Sequence, residues 1–166
     1  MAANGVWNHF YPVCESNTAP IEVENGLSAS CTLPPNDWPG FGGTSVSSPI
    51  LAGIQALVNQ KTGARQGNPN PVYYSLAATE YGSTGSSSCN SSNGNAVGSS
   101  CIFYDVTLGD MDVNCTGTHS CYRPSGTNGV LSTSTSSYQK AYGTGTGWDF
   151  STGIGTLNAA NLVNNW

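Results

Sequence analysis

Residues 40–49 read Gly-Phe-Gly-Gly-Thr-Ser-Val-Ser-Ser-Pro, a glycine-rich turn followed by small hydroxyl residues and a proline. After this segment, apolar residues recur at helical spacing: Ile50, Leu51, Ile54, Leu57 and Val58. This period predicts a helix over about residues 46–60 that packs through one apolar face. Ser45 therefore stands at the start of a helix, where unpaired N–H groups and the positive end of the helix dipole can stabilise a developing oxyanion.

A serine in this position has two interpretations. Serine is a common N-cap residue, so the position alone favours a structural role for Ser45. The whole string Gly43-Thr44-Ser45-x-x-x-Pro49 at the head of an apolar helix, however, resembles the nucleophile segment of the subtilisin-like clan of serine peptidases. Gly42 stands where that clan usually has serine, which leaves the core of the motif intact.

Residues nearer the other end of the chain distinguish between the branches of that clan. Asp105-Val106, together with Gly145-x-Gly147-x-Asp149, looks like the calcium site of the sedolisins, the acid-acting serine-carboxyl peptidases. The resemblance implies Ca²⁺ bound by the carboxylates of Asp105 and Asp149 and by the carbonyl oxygens of Val106, Gly145 and Gly147. Calcium takes about six to eight hard oxygens, so these groups and a water would reach the lower end. Taken without the family, the same residues are a glycine turn with two unrelated surface acids.

The resemblance to sedolisins covers about residues 40–166, and residues 1–39 match less specifically. It implies an α/β fold in which residues 1–166 are the C-terminal portion of one subtilisin-like parallel-sheet domain with long disulfide-stapled loops. It also implies a secreted, calcium-stabilised serine-type endopeptidase that acts on polypeptides at low pH. The stretch 107–137 is longer than the family needs, and we expect part of it to be an insertion.

The sequence lacks the acidic residues of the sedolisin catalytic site. In that family the general base is a glutamate, with an aspartate four residues later on the same helix. None of the four glutamates is followed by aspartate at that position: Glu15, Glu22, Glu24 and Glu80. Because a serine hydroxyl needs a base within hydrogen-bond reach, we expect this chain to be inactive without the upstream half of the same catalytic domain. The alternative is a non-catalytic secreted binding module or a pseudo-peptidase fragment.

The amino-acid composition favours some classes of protein and excludes others. Charged residues are 8% of the 166 residues, against about 25% in ordinary globular domains, and Ser, Thr, Asn and Gly take their place. Few ion pairs can then be lost on acidification, which favours an acid-tolerant, secreted surface. Four basic residues cannot cover a phosphate backbone, so no nucleic-acid partner is expected. No apolar run approaches the roughly 18–20 residues of a membrane span, so no membrane partner is expected either.

Six cysteines without a CxxC pair favour disulfides over a metal cluster. Proximity in sequence suggests three local pairs, although six cysteines allow many other pairings: Cys14–Cys31, Cys89–Cys101 and Cys115–Cys121. The remaining pattern predicts a second helix after 68–71, a stapled surface loop over 82–100, a short strand over 102–106, loop structure over 107–137, and a closing helix over 157–166.

Overall fold

The computed structural model of the protein describes residues 11–13 and 40–166. These residues belong to two compact units, divided between Gln55 and Ala56. The predictions that fall on residues 1–10 and 14–39, including the Cys14–Cys31 pair, lie outside the described residues. No helix in the described part of the chain is long and apolar enough to cross a membrane.

The first unit contains a short antiparallel pair of strands and the start of the predicted helix. Strand β1 (Tyr11–Pro12) pairs antiparallel with β2 (Gly40–Phe41), with Tyr11 opposite Phe41. Helix α1 (Thr44–Thr62) follows at once, and it extends beyond the predicted range at both ends. The helix ends before Gly63, whose φ of +67° is the left-handed conformation that terminates many helices.

The apolar face of α1 is only partly covered. Val58 is fully buried, as its position in the pattern predicts, because it lies in the core of the second unit. Ile50 and Leu57 keep 38% and 50% of their surface exposed. The helix is therefore confirmed, and two side chains of its predicted apolar face stay partly exposed.

The core of the second unit is built from the last part of α1, two further helices and one pair of strands. Helix α2 (Asn70–Glu80) buries Tyr73 and Ala77. Strand β3 (Phe103–Tyr104) pairs antiparallel with the late strand β7 (Thr156–Leu157), which leads into helix α3 (Ala159–Asn165). The Tyr73 ring packs edge-on against Phe103 and Trp166, with ring centroids 6.5 and 5.3 Å apart.

A carboxylate and a disulfide fix the segment between α2 and β3. The two Glu80 oxygens accept the backbone N–H groups of Ile102 and Phe103, at 2.6 and 2.7 Å, which ties the end of α2 to the start of β3. The Cys89–Cys101 disulfide closes the intervening loop, which contains a 3₁₀-helix at Ser91–Ala96. The predicted pairing and the predicted stapled loop are both confirmed here.

The stretch 107–137 is more ordered than predicted. It contains strands β4 (Asn114–Cys115), β5 (Cys121–Tyr122) and β6 (Gly129–Leu131), which form an antiparallel sheet in the order β4-β6-β5. The Cys115–Cys121 disulfide, predicted from proximity, joins the two outer strands. The expectation of plain loop structure is wrong for this sheet, because strands of two or three residues are too short to show a period of two.

The parallel sheet implied by the family resemblance stays a prediction. Every pairing between named strands in residues 11–13 and 40–166 is antiparallel. One isolated parallel bridge joins Asn90 to Asp105. The described residues thus form a mixed set of helices and small sheets.

Candidate functional site

Ser45 lies in the first turn of α1 with its side chain exposed. The carbonyl of Gly43 accepts the N–H groups of Val46 and Ser47 at 3.0 and 3.4 Å, so Gly43 occupies the N-cap position. Its φ of +96° lies in the left-handed region that favours glycine. Ser45 is therefore the second residue of the helix, and the interpretation of Ser45 as an N-cap does not hold.

The start of α1 offers hydrogen-bond donors to a ligand. The N–H groups of Thr44 and Ser45 donate to no backbone carbonyl of a described residue. The first N–H groups of a helix have no intrahelical acceptor, and they favour a negative charge placed before them. No described residue forms a hydrogen bond with the Ser45 hydroxyl, which leaves that hydroxyl open to a base or a substrate.

A general base for Ser45 does not emerge from the described residues. Glu80 is the only glutamate among them, and both of its oxygens are held by the N–H groups of Ile102 and Phe103. This carboxylate has a structural role in the core of the second unit. Glu15, Glu22 and Glu24 lie outside the described residues.

The predicted metal ligands lie in the second unit, and Asp105 is the most buried of them. Only 1% of its surface is exposed. Its backbone is fixed on both sides, since its N–H donates to the Cys89 carbonyl and its carbonyl accepts from Ser91, each at 2.8 Å. Its Oδ2 accepts the Gly147 N–H at 2.8 Å, whereas its buried Oδ1 has no hydrogen-bond partner. A buried carboxylate oxygen without a partner is costly, and a bound cation would satisfy it.

The Asp149 side chain forms hydrogen bonds within the loop that contains the remaining predicted ligands. Its Oδ2 accepts the Gly145 N–H at 3.0 Å. Its Oδ1 accepts the N–H groups of Ser151 and Thr152 at 2.8 and 2.7 Å, and the Thr152 hydroxyl lies within hydrogen-bond distance of both carboxylate oxygens. This is an Asx-type turn, in which an aspartate side chain satisfies the backbone two and three residues ahead. The turn holds the Asp149 side chain in place.

Gly147, which donates its N–H to Asp105, has a backbone conformation that favours glycine. Its φ is +78°, and an added Cβ would lie 3.0 Å from the Gly82 carbonyl oxygen. The positive φ and the close Gly82 carbonyl both favour glycine at residue 147. The spacing Gly145-x-Gly147-x-Asp149 thus has a conformational reason in this structure.

The two carboxylates influence each other electrostatically. Burial raises the pKa of Asp105; the Gly147 N–H partly opposes this effect, and the negative charge of Asp149 adds to it. For Asp149, desolvation works against the charged form, but the N–H groups of Gly145 and Thr152, the Thr152 hydroxyl and the Ser151 N–H together lower its pKa. Asp149 is therefore the more easily ionised of the two, and its negative charge disfavours a second negative charge on the buried Asp105. A divalent cation would offset both the desolvation of Asp105 and its repulsion by Asp149.

The residues present fit a calcium ion in part. Asp105, Gly145, Gly147 and Asp149 come together, and the two carboxylates are the hard oxygen donors that calcium prefers. The glycines contact the carboxylates through their N–H groups, so ligation through their carbonyl oxygens stays a prediction. Val106 follows Asp105 directly and is half-buried, and the role of its carbonyl likewise stays a prediction.

Two other acidic clusters in the second unit are not metal sites on this geometry. Glu80 lies near Cys89 and Cys101, but these cysteines form a disulfide and the glutamate is already hydrogen-bonded. The oxygens of Asp112 accept the N–H groups of Ala141 and Tyr142 and the Tyr138 hydroxyl. Its surroundings are therefore built from protein donors, which suits a structural aspartate.

Sequence reasoning did not identify the groups that support the site. Thr152 and Ser151 orient Asp149, and the pattern Asp-x-Ser-Thr could have suggested an Asx turn. Tyr81 is also buried beside the site and donates its hydroxyl to the Ile154 carbonyl at 2.6 Å. Burial, followed by the charges of Asp105, Glu80 and Asp149, raises its pKa. No local motif marks Tyr81, because the contact with Ile154 is distant in sequence.

Comparison with known proteins identified no relative of this chain. No protein-family model, no curated protein and no solved structure matches this chain.

Proposed function

We propose that this chain is the C-terminal part of the catalytic domain of a secreted, calcium-stabilised serine endopeptidase of the sedolisin type. One observation carries the proposal: Gly147, in the loop that the resemblance assigns to the same calcium site, donates its N–H to Asp105 Oδ2, and the other oxygen of this carboxylate, Oδ1, is buried without a hydrogen-bond partner. A second observation supports it. Ser45, the nucleophile that the resemblance implies, is exposed in the first turn of a helix whose first N–H groups meet no backbone carbonyl acceptor among residues 11–13 and 40–166.

In the proposed reaction, Ser45 Oγ attacks the carbonyl carbon of a peptide bond in a polypeptide substrate. The hydroxyl proton passes to a glutamate and then to the departing amine, which leaves an ester on Ser45 that water hydrolyses. The N–H groups at the start of α1, together with an aspartate, stabilise the oxyanion. The glutamate, the aspartate four residues after it and the separate oxyanion aspartate would all come from the upstream part of the same catalytic domain, since the sequence contains no Glu-x-x-x-Asp pair.

Calcium would be held by Asp105 and Asp149, with the carbonyl oxygens of Val106, Gly145 and Gly147. When bound, it would supply positive charge to two neighbouring carboxylates and so hold the 145–149 loop against the end of β3. This role is structural and involves no chemical step. The Asx turn at Asp149 and the parallel bridge at Asp105 already hold the two carboxylates in place.

Secretion is proposed on two grounds. The described residues contain two disulfides, which form and persist in oxidising compartments. Charged residues are only 8% of the sequence, so little stability depends on ion pairs that acid would break.

The experiment is a proteolysis assay at acid pH on the chain produced alone and together with the coding region upstream of it. We expect hydrolysis of a denatured protein substrate only with the longer product. Ser45→Ala should abolish that activity, and the matched variant Ser48→Ala, an exposed serine of the same helix, should retain it. Calcium content should be equal in all variants. Turnover by the Ser45→Ala protein would remove Ser45 from the role of nucleophile.

The alternative, a non-catalytic secreted binding module, is favoured by the absence of a Glu-x-x-x-Asp pair from all 166 residues. The same assay separates the two functions. A longer product that binds calcium, has Ser45 intact and hydrolyses nothing over the acid range would support the module and contradict the peptidase.

A further inference from the structure

The small sheet of β4, β5 and β6 has no part in the proposed peptidase site. One of its faces, with residues from the loops around it, forms an open groove of about 640 Å³. Sites for small ligands have volumes of about 300–1,000 Å³, so this groove is large enough for a short oligomeric ligand.

The floor of the groove is one cross-strand row. Val130 of the central strand lies opposite Asn114 on one side and opposite Tyr122 on the other, so these three side chains share a face of the sheet. Cys115 and Cys121 are in register with Gly129 and Leu131, the neighbours of Val130, so the disulfide joins the outer strands from the opposite face.

The absence of a side chain at Gly129 allows the central strand to lie close to the segment that contains Cys121 and Tyr122. A Cβ added there would lie 3.0 Å from Cys121 Sγ, and it would also clash with the Tyr122 carbonyl oxygen and the Arg123 side chain. The floor is therefore held by a covalent link and by a position that only glycine can fill.

Tyr138 forms a second aromatic wall, and its hydroxyl is anchored behind the groove. The Tyr122 and Tyr138 ring centroids are 6.5 Å apart, with the ring planes inclined at 37°. The Tyr138 hydroxyl donates to Asp112 Oδ2 at 2.9 Å, and the Ala141 N–H donates to the same oxygen at 3.0 Å. Tyr138 nevertheless keeps 38% of its surface exposed. An exposed ring with an anchored hydroxyl is already organised for binding.

The loop that carries Tyr138 is fixed from within. Ser132 is fully buried. Its hydroxyl donates to the Gln139 carbonyl at 3.0 Å and accepts the N–H groups of Gln139 and Ser134 at 2.9 and 3.2 Å. The position of the Tyr138 ring relative to the sheet is thus set by buried hydrogen bonds.

The chemistry of the lining points to one class of ligand. No charged side chain lines this groove in the described part of the chain, which favours an uncharged ligand. Asn114, Asn128 and Thr116 supply amide and hydroxyl groups that both donate and accept hydrogen bonds, as sugar hydroxyls do. Sugar rings also present apolar C–H faces, and these pack on aromatic rings such as Tyr122 and Tyr138.

A peptide fits this groove less well. The central strand β6, which forms the middle of the floor, already pairs with β4 and β5 along both of its edges, so its backbone is not available to a peptide lying in the groove. Recognition must therefore come from ring faces and side-chain amides.

We propose that the groove formed by Asn114, Tyr122, Asn128, Val130 and Tyr138 binds a neutral oligosaccharide, with the two tyrosines as stacking surfaces and the two amides as hydrogen-bonding groups. This binding is independent of Ser45 and of the calcium site.

The test is calorimetric titration of the full chain with soluble neutral hexasaccharides of glucose, mannose and N-acetylglucosamine, and with an uncharged Gly/Ser/Pro peptide as comparator. We expect at least one saccharide to bind and the peptide not to bind. Tyr122→Ala should weaken binding about tenfold or more, and Tyr122→Phe should stay within about threefold, because the ring face is retained. Tyr138→Phe should weaken binding by a few-fold, since the ring loses its anchor to Asp112.

Tyr74→Ala is the control, because Tyr74 is 52% exposed and lies outside the groove. Formation of the Cys115–Cys121 disulfide, checked by peptide mapping, shows that each variant has kept the sheet. The proposal is overturned if no saccharide binds, if only the peptide binds, or if Tyr122→Ala and Tyr74→Ala bind equally well with the disulfide intact.

Discussion

Replacement of Asp105 by asparagine should have opposite effects on stability with and without calcium. The asparagine has the same shape and can still accept the Gly147 N–H, but it removes the negative charge. In a calcium chelator, the wild-type protein holds a buried carboxylate with one unpartnered oxygen beside the charge of Asp149. We therefore expect Asp105→Asn to be the more stable protein under those conditions.

The magnitude follows from the contacts. Removal of the charge relieves both its desolvation and its repulsion by Asp149, and one pKa unit of such destabilisation corresponds to about 1.4 kcal/mol. The amide leaves a buried N–H group to be satisfied, which costs part of this gain. The net increase in the free energy of unfolding should be about 1 kcal/mol. For a protein of this size that is a rise in Tm of roughly 2–4 °C.

In calcium the order should reverse. A ligand at 100 times its Kd adds about 2.7 kcal/mol to the free energy of unfolding, and the variant should lose most of this increment with its charged ligand. The assay is thermal unfolding by circular dichroism with chelator and with calcium, on wild type, Asp105→Asn and the exposed control Asp110→Asn. If Asp105→Asn lowers Tm equally in both conditions, or if calcium leaves the wild type unchanged, the carboxylate is structural and the metal site is refuted.

Two further predictions concern groups outside the calcium site. Glu80→Gln should lower the free energy of unfolding by about 1–2 kcal/mol, because one of the N–H groups of Ile102 and Phe103 loses its acceptor; a Tm equal to wild type would contradict this role. For Asp112, desolvation opposes the charged form, but the Tyr142 N–H, the Tyr138 hydroxyl and the Ala141 N–H lower its pKa below the usual value of 3.8. Its stabilising contribution is therefore complete above that usual value and is lost as pH falls through the lowered pKa, so Tm should decline less between about pH 4 and 2 in Asp112→Asn than in wild type. Parallel Tm–pH curves for the two proteins would exclude Asp112 as the titrating group.

Much of the helical structure could be predicted because it depends on local pattern. Apolar residues at helical spacing predicted α1, although the helix extends beyond residues 46–60 at both ends. The pairing of Cys89 with Cys101 followed from proximity in a loop-forming stretch. In these regions neighbours in sequence are also neighbours in space, so a local pattern contains the necessary information.

The remaining features depend on contacts between distant residues. The sheet β4-β6-β5 has strands too short to show alternation, and it is held by the Cys115–Cys121 disulfide and by Gly129. The convergence of Asp105 with residues 145–149 could be expected only from the family resemblance. The exposure of Leu57 was not expected, since periodicity shows which side of a helix is apolar and not what covers it.

The bridge between the outer strands β4 and β5 has a practical consequence for how the protein is produced. Both cysteines belong to the small sheet, whereas the contacts of Tyr73, Phe103 and Leu162 that form the main core involve no thiol from it. In a bacterial cytoplasm, which keeps thiols reduced, we expect a helical product in which neither the disulfide between β4 and β5 nor the Cys89–Cys101 disulfide has formed. A secondary-structure spectrum would not distinguish this reduced product from the native protein. Free thiols should therefore be counted before a failed binding experiment is interpreted.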